Sequence, residues 1–200
     1  MSEKYSIDRD LKETEAMAGA LASYVRSDEL YGRVGSGGMF AGRDMPSLTV
    51  GALLMRLRRL NALRDEMTDS QVARLKKAES QHGAVSNEWR RHYQQKMLRE
   101  ANSRLDAMSA FFDECDKSLE FAARVYKPEA LRRTIVQELF FAIQEHGLEI
   151  AALQKKMRAA DNKLRSCVGR SEFMWAGILQ PIYPENLFWW LYHHPIPQDD

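Results

Sequence analysis

The sequence predicts an all-α protein built on a long antiparallel helical hairpin. Three observations predict it. Apolar residues recur every three or four positions through residues 86–168. No stretch alternates apolar and polar residues over a useful length. Capping residues stand where one periodic segment gives way to the next. No internal repeat of roughly 20–50 residues is visible. The chain reads as a single helical domain: an N-terminal helix (1–31), a glycine-rich loop (32–46), a basic helical segment (47–82), the long hairpin (84–168, with arms near 86–125 and 128–168), and an aromatic-rich C-terminal cap and tail (169–200).

The first helix starts at Ser6, an N-cap residue type. Ile7, Leu11, Met17 or Ala18, Leu21 and Tyr24 or Val25 give it one apolar face, to about Arg26. It is too short to be stable alone and must pack on something. The glycine-rich stretch 32–46 lacks the Lys of a P-loop, and Phe40 stands where a dinucleotide fingerprint needs its third glycine. It reads as a surface loop whose charges, Arg33 and Arg43, could meet an anion or a partner.

Ser47 or Thr49 can cap the next helix, with Leu53, Leu57, Leu60, Leu63 and Met67 on its face. Arg56, Arg58, Arg59 and Arg64 load its other sides and form the candidate basic face. Thr68 and Gln71 fit a capping box, so a new helix starts there, carrying Val72, Leu75 and Ala78. Gly83 then marks a kink or a break.

The first hairpin arm runs through Trp89, Tyr93, Met97, Ala101, Leu105, Met108, Phe112, Cys115, Leu119 and Ala122. That spacing approaches a coiled-coil seam. Proline suits the first turn of a helix and disfavours helical backbone in the residue before it. Residues 126–128 therefore read as the hairpin turn, with Pro128 opening the second arm. Its seam is Ile135, Leu139, Ala142, His146, Ile150, Leu153, Met157, Ala160, Leu164 and Cys167, and Gly169 is a stop signal. Facing residues of such a hairpin have numbers summing to about 254. His146 reads as a polar, register-fixing break in the seam, and Gly147 beside it as a local irregularity. In the C-terminal segment, Ser171 caps a short helix that Pro181 ends, and Pro184 starts a second through Leu187, Phe188, Trp189, Trp190 and Tyr192, followed by a loose tail. Trp89 is expected at the same end of the hairpin.

Composition bounds the chemistry. Two hundred residues with a net charge of +1 give no global pull towards nucleic acid or anionic membrane. Two cysteines make no disulfide framework, and the hairpin register sets them tens of Å apart. The N-terminus is charged rather than apolar, and no run approaches the roughly 18 apolar residues of a membrane span. These features point to a soluble cytoplasmic protein. His146 lies near Glu138, Glu145 and Glu149, and His92 near Glu88, but neither the di-iron bundle pattern nor H-E-x-x-H is present, so no metal is expected. Cys115 among Asp113, Glu114 and Asp116 would have a raised thiol pKa, unsuited to a nucleophile.

No catalytic residue and no cofactor is nominated. The leading expectation is a non-enzymatic helical interaction or scaffold protein, a homo-oligomer or one with a protein partner. Its interface candidates are Trp175, Phe188, Trp189, Trp190 and Tyr192, since Trp and Tyr dominate interface hot spots. The competing reading of that cluster is a hydrophobic plug. The second functional reading is a nucleic-acid-associated protein using residues 56–64, and the third an enzyme with a site between helices.

Overall fold

The computed structural model describes residues 5–34, 45–115 and 119–195, without the side chains of residues 110 and 112–120. Part of the glycine-rich loop (35–44), the Cys115 side chain and the last five residues therefore lie outside the described residues. The all-α class holds. The described chain consists mainly of helices α1 (Ile7–Arg26), α2 (Val50–Ala62), α3 (Asp69–Glu88), α4 (Arg90–Cys115), α5 (Leu119–Glu145) and α6 (Ala151–Cys167). Beside them stand two short strands, β1 (Val168–Arg170) and β2 (His193–Pro195). None of these helices is long and apolar enough to cross a membrane. The chain forms two compact units, Ser6–Glu100 and Ala101–Asp200 with Met1–Tyr5.

The first unit packs α1 against α2 and α3. The caps are those expected. Ser6 accepts the Arg9 N–H, Thr49 that of Ala52, and Thr68 and Gln71 close a reciprocal capping box. α3 runs through Gly83 without a break and ends at Trp89. Leu11, Met17 and Leu21 of α1 meet the core beside Leu53, Leu60 and Leu75, all essentially inaccessible. α2 has no acidic residue in its first turn. The fully buried carboxylate of Glu100, from α4, accepts the Gly51 N–H at 2.9 Å and supplies negative charge to that helix end. The Lys96 ammonium donates to the Glu29 carbonyl and lies 4.4 Å over the Tyr24 ring; burial pushes its pKa down. Gly32 and Leu48 exchange backbone hydrogen bonds across the loop that joins α1 to α2. A Cβ on Gly32 would meet the Tyr24 ring at 2.8 Å, so glycine is required by close approach there.

The second unit corrects the hairpin. Pro128 does not turn the chain: α5 continues through it from Leu119 to Glu145. Pro128 and Arg124, whose carbonyl loses its helical donor, are both exposed, so water can satisfy that oxygen. The turn comes at Gly147, with φ +66°. The Leu148 N–H bonds the Ile143 carbonyl at 3.1 Å and the Gly147 N–H the Gln144 carbonyl at 2.9 Å. This pair of bonds is a Schellman cap. α6 then returns along α5: Arg133 forks onto Asp161 at 2.7 and 2.9 Å, a pair centred on residue 147 rather than 127. α6 also reaches α4, where the Lys156 ammonium donates to Asn102 and Asp106 at 3.1 and 3.0 Å. That contact lies one to two turns from the expected register.

The expectation that no strand exists fails too. β1 and β2 pair antiparallel, Val168 with Pro195, Gly169 with His194 and Arg170 with His193. Three residues are too few to show a period of two. The start of the supposedly loose tail is thus a strand. The two short C-terminal helices are 3-10 turns, Gly177–Ile182 with Pro181 inside it and Trp189–Tyr192.

Candidate functional site

The C-terminal segment is seated by Trp190, which is 1 % exposed. Its indole N–H donates to Thr134 Oγ1 at 2.9 Å, and its carbonyl accepts the Tyr126 hydroxyl at 2.8 Å. The Arg133 guanidinium that pairs with Asp161 lies 3.9 Å over its ring. Tyr126, Arg133 and Thr134 of α5 therefore hold one residue of the returning segment, and Thr134 is itself oriented by donating its hydroxyl to the Ala130 carbonyl. Burial raises the Tyr126 pKa, which keeps its hydroxyl a donor. Nearby, the Glu129 carboxyl is pushed up by burial, against the pull of the adjacent Arg132.

Aromatic packing spreads outward from that anchor. Phe188 meets Trp190 at 5.5 Å between centroids, Tyr183 meets Phe188 at 4.9 Å, and Trp175 meets Tyr183 at 5.1 Å. Trp189 packs edge-on against Trp190 at 6.0 Å, with the Arg165 guanidinium 3.9 Å over its ring. The His193 ring nitrogen Nδ1 lies 2.8 Å from the Trp189 carbonyl; a carbonyl only accepts, so Nδ1 carries the proton.

At the outer edge of this cluster lies a groove of about 520 Å3, lined within the segment between Arg170 and Tyr192. Phe173 and Trp175 are half-buried there. Their rings stand at 78° with centroids 6.3 Å apart, and Phe173 meets Tyr192 at 5.1 Å. Tyr192 donates its hydroxyl to the Tyr183 carbonyl at 2.8 Å. Its pKa is raised first by burial and then by the negative charge of Glu185, against a hydrogen bond from Gln180. Glu185 pairs with Arg170 at 3.1 Å on the rim. Glu172 is exposed on the same rim.

The interface candidates divide. Phe188, Trp189, Trp190 and Tyr192 are buried, between 1 and 9 % exposed, and fill the unit's own core; Trp175 lies at the groove, half-buried. Trp89, expected beside them, sits under the Arg26 guanidinium at 5.0 Å and against the His92 ring at 5.7 Å.

The basic-face candidates are mostly turned inward. Arg56 donates to Glu13 at 2.9 and 2.6 Å and lies 3.6 Å from Asp10, while Arg59 lies 3.7 Å from Asp10; all four residues are buried. Arg64 pairs with Glu79 at 3.1 Å, and Arg58 is half-buried. An exposed basic surface that the sequence analysis did not nominate lies on α6, where Lys155, Lys156, Arg158, Lys163 and Arg165 are all exposed. The sequence signal for it is composition: α6 carries five cations against the single Asp161.

Among the described residues no group of three or more His, Cys, Asp or Glu stands close enough to hold a metal ion. No protein-family model matches the chain, and no curated protein or solved structure is significantly similar to it.

Proposed function

We propose that this chain is a non-enzymatic helical interaction protein that associates with a second copy of itself through the C-terminal surface. One observation carries the reading. The same short segment presents a groove bordered by Phe173 and Trp175 and two exposed apolar side chains, Ile178 at 45 % and Leu187 at 48 %. A two-fold contact needs a patch complementary to itself. A segment that carries both projecting apolar side chains and a hollow of suitable size supplies the two halves of such a contact. The frame beneath is fixed by the buried hydrogen bonds of Trp190, so little ordering entropy would oppose docking.

Light scattering across a concentration series tests this, on the wild type and on Ile178→Asp/Leu187→Asp. The substituted positions are exposed, so helicity by circular dichroism should stay unchanged. The wild type should dimerise, and the double substitution should weaken the dimer by at least roughly tenfold, since burying two such side chains is worth more than about 1.4 kcal/mol. A wild type that stays monomeric at every concentration would overturn self-association. The exposed basic face of α6 would then be the surface to probe with nucleic acid. Substituting Trp189 and Trp190 is unsuitable for this test, because both are core residues.

A further inference from the structure

We infer that the exposed face of α6 binds the phosphate backbone of duplex nucleic acid, without regard to base sequence. None of the residues that line the C-terminal groove belongs to α6, so the inference stands apart from self-association.

Charge comes first. The one acid of α6, Asp161, is half-buried and held by the Arg133 fork, so no carboxylate of this helix faces solvent. Glu149 is exposed but lies before the helix begins. Of the five cations, Lys156 turns aside to Asp106 and Asn102. Lys155 and Arg158 are exposed and make no ion pair or hydrogen bond among the described residues. Arg165 is exposed too, and its guanidinium lies 3.9 Å over the Trp189 ring, which fixes its plane. Its N–H donors meet no acceptor among the described residues. A planar fork is thus held in place with its donors unused, the geometry that suits a phosphate.

Shape comes second. Lys155, Arg158, Asn162 and Arg165 follow at steps of three, four and three, so they form one straight stripe along the helix. The stripe is about 15 Å long, the rise of about four nucleotides of a duplex strand. Asn162 fills the gap between the cations with an exposed amide, a group that also donates to phosphate. The other exposed residues beside it include Ala151, Ala152 and Ala159, small enough to let a backbone come close. No large apolar side chain of α6 is exposed, as insertion into a membrane surface would need. Trp189, the ring under Arg165, is buried, so the bases of a single strand have no face to stack on there. A duplex backbone offers negative charge at regular spacing, which a straight stripe of cations matches and the carboxylates of a folded protein do not.

Fluorescence anisotropy tests this with a labelled DNA duplex of about 20 base pairs, titrated with the full chain between about 50 and 200 mM salt. The wild type should bind two duplexes of unrelated sequence alike. Its log affinity should fall against log salt with a slope of about −2.7, for phosphate contacts from Lys155, Arg158 and Arg165. Lys155→Gln/Arg158→Gln removes two exposed cations without a partner, so helicity by circular dichroism should not change. It should lower affinity at the low-salt end by at least roughly tenfold and bring the slope to about −1. Lys76→Gln/Lys77→Gln makes the same charge change on exposed lysines of α3 and should leave affinity and slope as in the wild type. No binding at the low-salt end, or an equal loss from the α3 pair, overturns the inference. So does tighter binding of the separated single strands. Displacement of the duplex by polyglutamate at equal charge would make the partner an acidic protein and overturn it as well. Mass measured on the same samples keeps the two proposals apart: a dimer that binds no duplex sinks this inference alone, and a monomer that binds one sinks self-association alone.

Discussion

At Trp190 four interactions of different kinds meet: a donated hydrogen bond, an accepted one, a cation over the ring face, and ring edges on two neighbours. In a fully buried place each is worth more than at the surface, and each is costly to leave half made. Thr134→Val keeps the volume and removes the acceptor of the indole N–H. The expected loss is about 1–3 kcal/mol in urea unfolding, the penalty of a buried donor without a partner. Thr134→Ser keeps the oxygen and should lose clearly less. A loss from Val no greater than from Ser would mean that the hydrogen bond does not seat the segment. The contact also shows what a sequence can disclose at this scale. Ser6, Thr49 and the Thr68–Gln71 box act within three residues of themselves, so their roles were readable from order alone. Thr134 and Trp190 are 56 positions apart, and neither residue type announces the other. The arginines of α2 were readable as charge but not as direction. Only packing shows that Arg56 and Arg59 turn toward Asp10 and Glu13 of α1.

The reversal between the long helices falls at Gly147, read from the sequence only as a local irregularity, and not at residues 126–128. Proline is a helix starter as well as a breaker, and at 128 it is neither: the helix absorbs it on an exposed side where water can serve the freed carbonyl. Gly147 is decisive because the Schellman cap needs left-handed backbone, which costs a side-chain-bearing residue roughly 1–2 kcal/mol. Nothing lies within 4 Å of a Cβ built there, so Gly147→Ala tests backbone strain without a clash. The expected effect is a destabilisation of about 1 kcal/mol, read as a lower urea midpoint with unchanged helical content. No change would mean that the turn is held by Arg133 and Asp161 rather than by its cap. The periodic seams themselves were legible, because burial imposes the helical repeat on residue choice: Met97, Ala101, Leu105 and Met108, and then Ile135, Leu139 and Ala142, are buried as that repeat requires, while His146 and Ile150, at the turn, are only half-buried. Where a seam is cut into helices was not legible, since a periodic pattern carries no mark of the position at which the chain reverses. The groove was half legible: Trp175 stood out by type, while the pairing of β1 with β2, which closes residues 170–193 on themselves, has no local mark in the sequence.

The chain as a whole consists of two compact units, each with its own buried polar anchor. In Ser6–Glu100 the anchor is the quartet Asp10, Glu13, Arg56 and Arg59; in Ala101–Asp200 it is Arg133 with Asp161 and Trp190. Removing one member of a buried ion pair leaves its partner charged in a poorly solvated place, which typically costs about 3–5 kcal/mol. Arg56→Met should fall at the low end, because Arg9 and Arg59 remain near Glu13 and Asp10. Units with separate cores open as separate cooperative blocks when native amides exchange with solvent. Hydrogen exchange on Arg56→Met should therefore show faster exchange through α1, α2 and α3, with α5 and α6 protected nearly as in the wild type. Thr134→Val should show the converse. Equal acceleration throughout, from either substitution, would mean that the two units unfold as one. Helix α4 holds the residues that decide between these outcomes. Its Tyr93 and Met97 are buried in the first unit and its Leu105 and Met108 in the second, so the point along α4 where protection changes locates the boundary directly. A sharp step near residue 100, where Glu100 binds the N-terminus of α2, is the pattern that two independent cores require.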